Sequence, residues 1–213
     1  MNFLNPKYHL LYLAALLSLA CSPTIKTNEE SHSSNIADVT RSTSSSDNLI
    51  FYAVVEIPAG TNKKVEIDKE TDEFKVDQRD GKDRIISFLP YPANYGFIAG
   101  TLSDAAEGGD GDAVDVLVIA EQLKTGTVIS VEPIAMLKLI DDGEEDFKVL
   151  AVPTDDRLNV LRLTDLKDDP KKEQAIKEII EKWFLSYDSD PAKVIGWADK
   201  AETLQYIKNN QKK

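Results

Sequence analysis

The sequence predicts a mainly β domain with helices at its carboxyl-terminal end, preceded by a segment that is not part of the fold. Short runs rich in Val, Ile and Leu recur between Leu49 and Val152, separated by Gly, Pro and Asp turns. This spacing is typical of a small β-barrel. Beyond Asp169 the apolar residues recur with the helical period instead. A chain of 213 residues has room for one such domain and a tail.

The amino-terminal segment resembles an export leader followed by a tether. Its apolar run, Leu10 to Ala20, is too short to span a bilayer but suits a secretory signal peptide. The only cysteine, Cys21, directly follows Leu17-Ser18-Leu19-Ala20, which resembles a bacterial lipobox. We therefore expect a signal peptide at 1–20, a lipidated Cys21 with a flexible tether at 21–48, and a folded domain at 49–213. An ordinary signal peptide is the alternative.

The composition of the folded part excludes several classes of chemistry. His9 and His32 lie in the leader and tether, so the predicted domain contains neither His nor Cys. Catalysis by Ser-His or Cys-His pairs and zinc sites of the usual ligand types are therefore excluded. The formal net charge of −12 argues against a nucleic-acid partner. Any chemistry must depend on carboxylates, Lys, Arg, Tyr and bound metal.

The first two-thirds of the domain contains the β signals. Strands are predicted at 49–57, 63–67, 84–89, 114–120, 127–140 and 146–152. Asp142-Gly143 separates the last two segments and indicates a hairpin. We expect this hairpin to bring Asp141 and Asp146 together at its end, with Lys148 on the same face as Asp146.

Two helices follow. Asp169-Pro170 begins the first, in which apolar residues at helical spacing form a core-facing stripe: Ile176, Ile179, Ile180, Trp183, Phe184 and Tyr187. Asp199 and Glu202 form a capping box for the second, which ends near Asn209. We expect both helices to cover the barrel rather than to carry chemistry.

An acidic cluster precedes the strand predicted at 114–120. Asp110, Asp112 and Asp115 fall within six residues, and Gly109 and Gly111 permit the bend that lets them converge. Carboxylates this close repel one another unless cations bind them, so the cluster predicts a hard-metal site. A solvated acidic loop is the alternative. An EF-hand loop is disfavoured because Asp115 occupies the sixth position, where that loop needs glycine.

Further acidic and phosphate-binding side chains lie around the predicted strand ends. The acids are Glu56, Asp141 and Asp146, and the possible phosphate donors are Lys64, Arg79, Arg84, Tyr91, Tyr95 and Lys148. Any one of them has an ordinary reading as part of a solvated surface. Carboxylates alone would repel an anionic ligand, and bases alone would not need a carboxylate cluster. The combination favours divalent cations that join the protein to a phosphorylated ligand.

The motif Asp110-Gly111-Asp112-Ala113-Val114-Asp115-Val116 resembles the signature of the family I soluble inorganic pyrophosphatases, which hydrolyse pyrophosphate to two phosphates with Mg²⁺. Supporting motifs occur in the family's order: Val55-Glu56-Ile57-Pro58-Ala59, Lys64-Val65-Glu66, Tyr91-Pro92-Ala93-Asn94-Tyr95-Gly96, Asp141 through Pro153, and Ile195-Gly196-Trp197. The resemblance implies a five-stranded OB-like β-barrel with two carboxyl-terminal helices packed outside, an α+β fold.

The resemblance also implies a role for each site residue. Ligands of the activating Mg²⁺ would be Asp110, Asp115 and Asp146, with Asp115 shared with a second ion, and ligands of the ions that arrive with pyrophosphate would be Asp141 and Glu56. Asp112 would be the general base for a water held between two ions. Contacts to phosphate oxygens would come from Lys64, Arg84, Tyr95, Lys148 and Tyr187. Several Mg²⁺ ions per site, pyrophosphate as the partner, and a homo-oligomer, commonly a hexamer in bacteria, are implied.

The sequence departs from the family pattern at several points. Ala113 stands where proline is common, and Asp188 follows Tyr187 where lysine is frequent. The spacing between Arg84 and Tyr91 is one residue shorter than in the family, so Arg79 is an alternative to Arg84.

The leader predicts an exported bacterial lipoprotein on the periplasmic side of a membrane or in the cell envelope, whereas the family is mostly cytosolic. Two other functions therefore stay open. One is a phosphate- or metal-binding barrel lipoprotein without turnover, and the other is a hydrolase of another small phosphoanhydride.

Overall fold

The computed structural model describes residues 50–188 and 192–212. Within this part the strands are β1 (Phe51–Ile57), β2 (Val65–Asp68), β3 (Glu73–Val76), β4 (Gln78–Arg79), β5 (Lys82–Asp83), β6 (Asn94–Ile98), β7 (Asp115–Val118), β8 (Val128–Asp141), β9 (Glu144–Glu145), β10 (Lys148–Pro153) and β11 (Lys193–Asp199). The helices are α1 (Pro170–Phe184) and α2 (Lys200–Asn209). The predicted signal peptide, Cys21 and the whole predicted tether lie outside the described residues. No helix in the described part is long and apolar enough to cross a membrane.

Five strands form a closed ring. β1 pairs with β6, β6 with β7, β7 with β10, β10 with β8, and β8 with β1 again. The pairing of β7 with β10 is parallel and the other four are antiparallel. The predicted five-stranded barrel is confirmed, and β9 and β11 extend it by pairing with β8.

The barrel strands are buried on both faces. Val116 and Val118 of β7 pack into one apolar cluster, and Leu117 between them packs into the other, as the period of two in a strand requires. Helix α1 contributes Trp183 to the same cluster as Leu117, and α2 contributes Ile207 to the opposite cluster. Each helix therefore covers a different part of the sheet.

The two helix predictions are confirmed, with one correction to the apolar stripe. The side chain of Asp169 caps α1 by accepting a hydrogen bond from Lys172 N, and Asp199 caps α2 through Glu202 N. Ile180 and Trp183 are buried, but Ile179 is 59% exposed. Ile179 lies about 100° around the helix from Ile180, which places it outside the stripe that faces the barrel.

The strand predicted at 84–89 is wrong. Ile85 forms only an isolated bridge with Lys63, and the following residues bend towards Pro90. Phe88 and Leu89 are exposed. The apolar residues that suggested a strand here therefore do not form a buried strand of the core. The strand predicted at 63–67 overlaps β2. The sequence interpretation missed β6 and β11 and the short strands β3, β4, β5 and β9.

Glycines decide the shape of β6 and of the hairpin. A Cβ on Gly96 would lie 1.9 Å from the carbonyl oxygen of Val54, so β6 can approach β1 only with glycine there. At the predicted hairpin, Asp142 and Gly143 both have positive φ, 47° and 91°, as a type I′ turn requires. Asp141 pairs with Glu144 across this turn, which confirms the hairpin.

Candidate active site

A single cleft of about 740 Å³ brings together every site residue that the sequence suggested within the domain. Its lining includes the acids Glu56, Asp110, Asp112, Asp115, Asp141 and Asp146 and the groups Lys64, Arg84, Tyr95, Lys148 and Tyr187. Arg79, Tyr91 and Asp188 line it as well. These residues come from separate elements, so the barrel fold itself assembles the set.

The centre of the cleft is a buried lysine between two carboxylates. The parallel register of β7 and β10 sets Lys148 opposite Asp115. Its Nζ lies 2.5 Å from Asp115 Oδ2, also contacts the Asp146 carboxylate, and lies 3.2 Å from the hydroxyl oxygen of Tyr95. Tyr95 donates a hydrogen bond of 2.5 Å to Asp115. Asp146, as predicted, lies on the same face as Lys148.

Burial and the charge of the ion-pair partner act in opposite directions on the pKa of Lys148 and on that of Asp115. Burial alone would lower the pKa of Lys148, but Asp115 and Asp146 raise it above its usual range. Burial raises the pKa of Asp115 to about 6, with a further contribution from Asp146 and an opposing one from Lys148. The ammonium therefore supplies positive charge beside Asp115, whose carboxyl burial would otherwise favour in the neutral form.

Glycines shape the acidic loop. Gly108 and Gly111 have φ of 100° and 79°, so they make the bend, whereas the sequence had suggested Gly109 and Gly111. Gly109 serves close approach instead, because a Cβ there would lie 2.1 Å from Ser103 Oγ. The loop carries Asp110 into the cleft, where burial raises the pKa of its carboxyl and the neighbouring acids add to the effect.

Glu56 is a buried acid whose carboxylate is positioned by a backbone hydrogen bond. It lies in the buried stretch of β1, is 7% exposed, and accepts a hydrogen bond of 2.8 Å from Ile67 N. Burial raises its pKa to about 8, and the neighbouring Asp115 and Glu66 add to the rise. A cation bound in the cleft would favour the ionised form of this carboxyl.

The basic side of the cleft is built on a backbone network. Lys64 N donates to Arg84 O at 3.0 Å, Arg84 N donates to Asp77 O at 2.8 Å, and Asp77 N donates to Lys64 O at 2.8 Å. Side chains of the same residues then pair, with Arg84 Nη1 at 3.2 Å from Asp77. Both Arg84 and Arg79 also pair with Asp188, so the structure brings both candidate arginines to one place.

Aromatic packing positions Tyr187 and Tyr91 at the cleft. The ring of Tyr187 stacks on Trp183 with centroids 4.8 Å apart, and Tyr91 packs on the same indole at 4.5 Å. Burial raises the pKa of both tyrosines. The end of α1 therefore contributes to the cleft, although the sequence suggested that the helices only cover the barrel. Trp197 lies elsewhere and donates to Glu181 at 2.5 Å.

Two contacts of the site were missed by sequence reasoning. Lys69, in the turn between β2 and β3, contacts the carboxylate of Asp112, and Asp77 pairs with Arg84. The sequence around a charged residue in a hairpin turn does not indicate which loop its side chain will contact. Asp77 directly follows β3, so only recognition of that strand would have directed attention to it.

The donors in the cleft fit hard divalent cations. Eleven acidic and six basic side chains line it, so its formal charge is strongly negative, and all of its anionic donors are the carboxylate oxygens that such cations prefer. Among the described residues no three acids converge into a complete metal cage. Mg²⁺ does not need one, because it keeps several waters and binds through one or two carboxylates and substrate phosphates.

Comparisons with known proteins agree with the motifs and the fold. The family model described as inorganic pyrophosphatase matches residues 53–213. The chain is 40% identical over 162 residues to the inorganic pyrophosphatase of Saccharolobus solfataricus, covering 72% of this chain and 86% of that one. For that of Neisseria meningitidis serogroup B the identity is 37% over 169 residues, with coverage of 77% and 88%.

Solved structures give the same result. An inorganic pyrophosphatase from Neisseria gonorrhoeae superposes with a TM-score of 0.62 at 37% identity, covering 76% of this chain and 88% of that one. From the family match over residues 53–213, the identity to these relatives and the shared fold, we conclude that this chain belongs to the inorganic pyrophosphatase family.

Proposed function

We propose that this chain is an inorganic diphosphatase, which hydrolyses pyrophosphate to two phosphates by attack of water. The observation that carries the proposal is one cleft in which a carboxylate cluster faces lysine, arginine and tyrosine donors. Carboxylates and bases together suit a polyanion that binds with cations. The membership of the chain in a family of metal-dependent pyrophosphatases supports the same reaction.

We assign Mg²⁺ as the metal and divide the acids by their position. Bound Mg²⁺ would lower the pKa of water and neutralise charge on the substrate. Asp110, Asp115 and Asp146 would hold the activating ions, and Glu56 and Asp141 would hold ions that accompany pyrophosphate. Lys148, which neutralises Asp115 and Asp146 in the described structure, can turn to a phosphate oxygen once cations supply that positive charge.

Asp112 is proposed as the general base. It projects from the acidic loop, its side chain is more than half exposed, and Lys69 contacts it, so it can reach both the cleft and solvent. It would accept the proton of the attacking water. Phosphate oxygens would be bound by Lys64, Arg84, Tyr95, Lys148 and Tyr187, and these donors would stabilise the leaving phosphate as its negative charge develops.

Phosphate release from pyrophosphate, with Mg²⁺ varied, tests this function. Asp112→Asn should lower turnover by roughly 10²- to 10⁴-fold, the usual contribution of a general base, without changing the Mg²⁺ requirement. Asp115→Asn should lower turnover and raise the Mg²⁺ requirement, because it removes a charged ligand. Asp155→Asn, outside the cleft, is the matched control. If Asp112→Asn recovered full turnover at saturating Mg²⁺, Asp112 would be a ligand and not the base.

The same assay separates the competing functions. Tight pyrophosphate binding without release at any Mg²⁺ concentration would favour a non-catalytic binding protein. Release from another small phosphoanhydride with a higher kcat/KM than from pyrophosphate would identify that compound as the substrate.

For location we propose an exported lipoprotein anchored through Cys21 on the periplasmic side of a membrane or in the cell envelope. The apolar run before Cys21 and the Ser-rich residues after it support this. Cys21→Ala should move the protein from the membrane fraction to the soluble fraction. Recovery of the native chain from the cytosol with residues 1–20 intact would contradict the proposal. We also propose that the chain forms a homo-oligomer, a hexamer by family resemblance. The mass of the assembly in solution, measured by light scattering, tests this.

A further inference from the structure

Three charged side chains meet at one end of the cleft. Arg79 ends β4, Arg84 follows β5, and Asp188 lies shortly beyond α1. Arg79 binds Asp188 with both amino groups, Nη1 to Oδ1 at 3.0 Å and Nη2 to Oδ2 at 3.2 Å. Arg84 contacts the same carboxylate through Nη2. One acid therefore bridges two guanidinium groups, one in strand β4 and one directly after strand β5.

This arrangement has the geometry with which arginine binds phosphate. Two parallel N–H···O bonds from a guanidinium fit a carboxylate and a phosphate equally well. The Asp188 carboxylate thus binds the edge of the Arg79 guanidinium and one amino group of Arg84. These are the donors that a phosphate would bind. The other amino group of Arg84 lies 3.2 Å from Asp77. The carboxylates of Asp188 and Asp77 offset part of the positive charge of the two arginines, which reduces the attraction of the arginines for an anion.

The contact between Arg84 and Asp188 is largely buried, whereas the side chain of Arg79 is 47% exposed. The Asp188 side chain is 13% exposed and that of Arg84 is 15% exposed, so solvent screens this contact less than it would a surface pair. Burial lowers the pKa of Arg84, but the hydrogen bonds to Asp188 and Asp77 outweigh burial and raise it. Arg84 therefore stays charged, and Asp188 is the partner with which a ligand has to compete.

We propose that Asp188 is an internal competitor for phosphate, which sets the affinity of this end of the cleft by holding Arg79 and Arg84. The substrate anion displaces the carboxylate and takes over the guanidinium groups. Asp188 is thus an affinity-determining residue, and Arg79 joins Arg84 as a phosphate-binding arginine. The proposal rests on the proposed function for the identity of the anion, pyrophosphate.

Asp188→Asn tests the proposal, because it removes the charge and keeps nearly the same shape. We expect the KM for pyrophosphate at fixed Mg²⁺ to fall about three- to tenfold, as for loss of one partly screened charge, with little change in kcat. The affinity for inorganic phosphate, measured by calorimetry in EDTA, should rise by a similar factor. That second readout does not depend on turnover.

Matched variants separate competition from other effects. Asp155→Asn removes a carboxylate that also binds an arginine, Arg157, by three side-chain hydrogen bonds outside the cleft, and it should change neither KM nor phosphate affinity. Asp188→Glu keeps the charge and should stay within about twofold of the original KM. In an Arg79→Gln background the gain from Asp188→Asn should shrink, because only Arg84 is then released.

The outcomes distinguish this proposal from the proposed function. An unchanged or raised KM together with unchanged phosphate affinity in folded Asp188→Asn would overturn the competitor role. A raised KM in both Asp188→Asn and Arg79→Gln, with no further rise in the double variant, would make Asp188 a positioning residue instead. No turnover in the unmodified chain, with tighter phosphate binding by Asp188→Asn, would overturn the proposed function and leave the competitor role standing.

Discussion

Replacing Lys148 by methionine should make the stability of the protein depend strongly on divalent cations. The side chain of Lys148 is only 4% exposed, and its ammonium contacts both Asp115 and Asp146. Methionine keeps most of the length and apolar surface of the side chain but leaves the two carboxylates without that cation. The change therefore isolates the charge at the centre of the cleft.

The expected loss follows from the burial of the ion pairs. Removing one partner of a buried ion pair typically costs about 3–5 kcal/mol of the free energy of unfolding. For a domain of this size each kcal/mol shifts Tm by about 2–4 °C, so Tm in EDTA should fall by roughly 6–20 °C. Added Mg²⁺ should restore much of this loss, because it binds the two carboxylates in the folded state only.

Thermal unfolding followed by circular dichroism, in EDTA and at increasing Mg²⁺, measures both effects. Lys138→Met is the matched control, because Lys138 pairs with Glu202 outside the cleft and should change stability by no more than about 1 kcal/mol. Lys148→Met should gain more from Mg²⁺ than the unmodified chain. Equal gains in the two proteins, or an unchanged Tm in EDTA, would refute the idea that the ammonium occupies the place of a cation.

Three further predictions concern single residues. In EDTA, stability should fall as pH rises from about 4.5 to about 8, because folded Glu56 keeps its proton over this range and the unfolded chain does not; Glu56→Gln should flatten this slope in urea titrations. Gly96→Ala should cost about 3 kcal/mol or more, since the new Cβ meets the Val54 carbonyl, and a normal urea midpoint would contradict it. Asp169→Ala should cost about 1 kcal/mol through loss of the cap on α1, seen as a lower Tm without loss of turnover.

Local patterns predicted the parts of the fold that have local causes. The strands β1, β7, β8 and β10 are aliphatic runs between turns, and both helices begin at capping aspartates. Strand β6 was not predicted because its sequence, with Asn94 and Gly96, lacks the aliphatic pattern. The close approach to Val54 that requires Gly96 is a tertiary contact, which the local sequence does not show. The segment 84–89 has the composition of a strand but no partner strand beyond one bridge.

In the site, too, local motifs predicted which residues are present but not the tertiary contacts between them. The cleft brings together every site residue of the domain that the motif resemblance named, but further charged residues such as Lys69 and Lys212, which it did not name, line the cleft as well. The resemblance did not predict which charges pair with each other. Arg79 and Asp188 are 109 positions apart, and a contact over that distance depends on how the hairpin β4–β5 and the end of α1 are placed by the whole barrel. The sequence showed only that aspartate stands at position 188, where lysine is frequent in the family, whereas the structure pairs Asp188 with two arginines.

The parallel register that sets Lys148 opposite Asp115 also has a consequence for folding kinetics. Side chains alternate between the two faces of a strand, so a slip of one residue between β7 and β10 would send these two groups to opposite sides of the sheet. Parallel partners are distant in sequence, and the entropy of closing the intervening loop delays their pairing. The central charge cluster therefore forms only when the barrel closes in register, and any arrangement with β7 and β10 out of register lacks it.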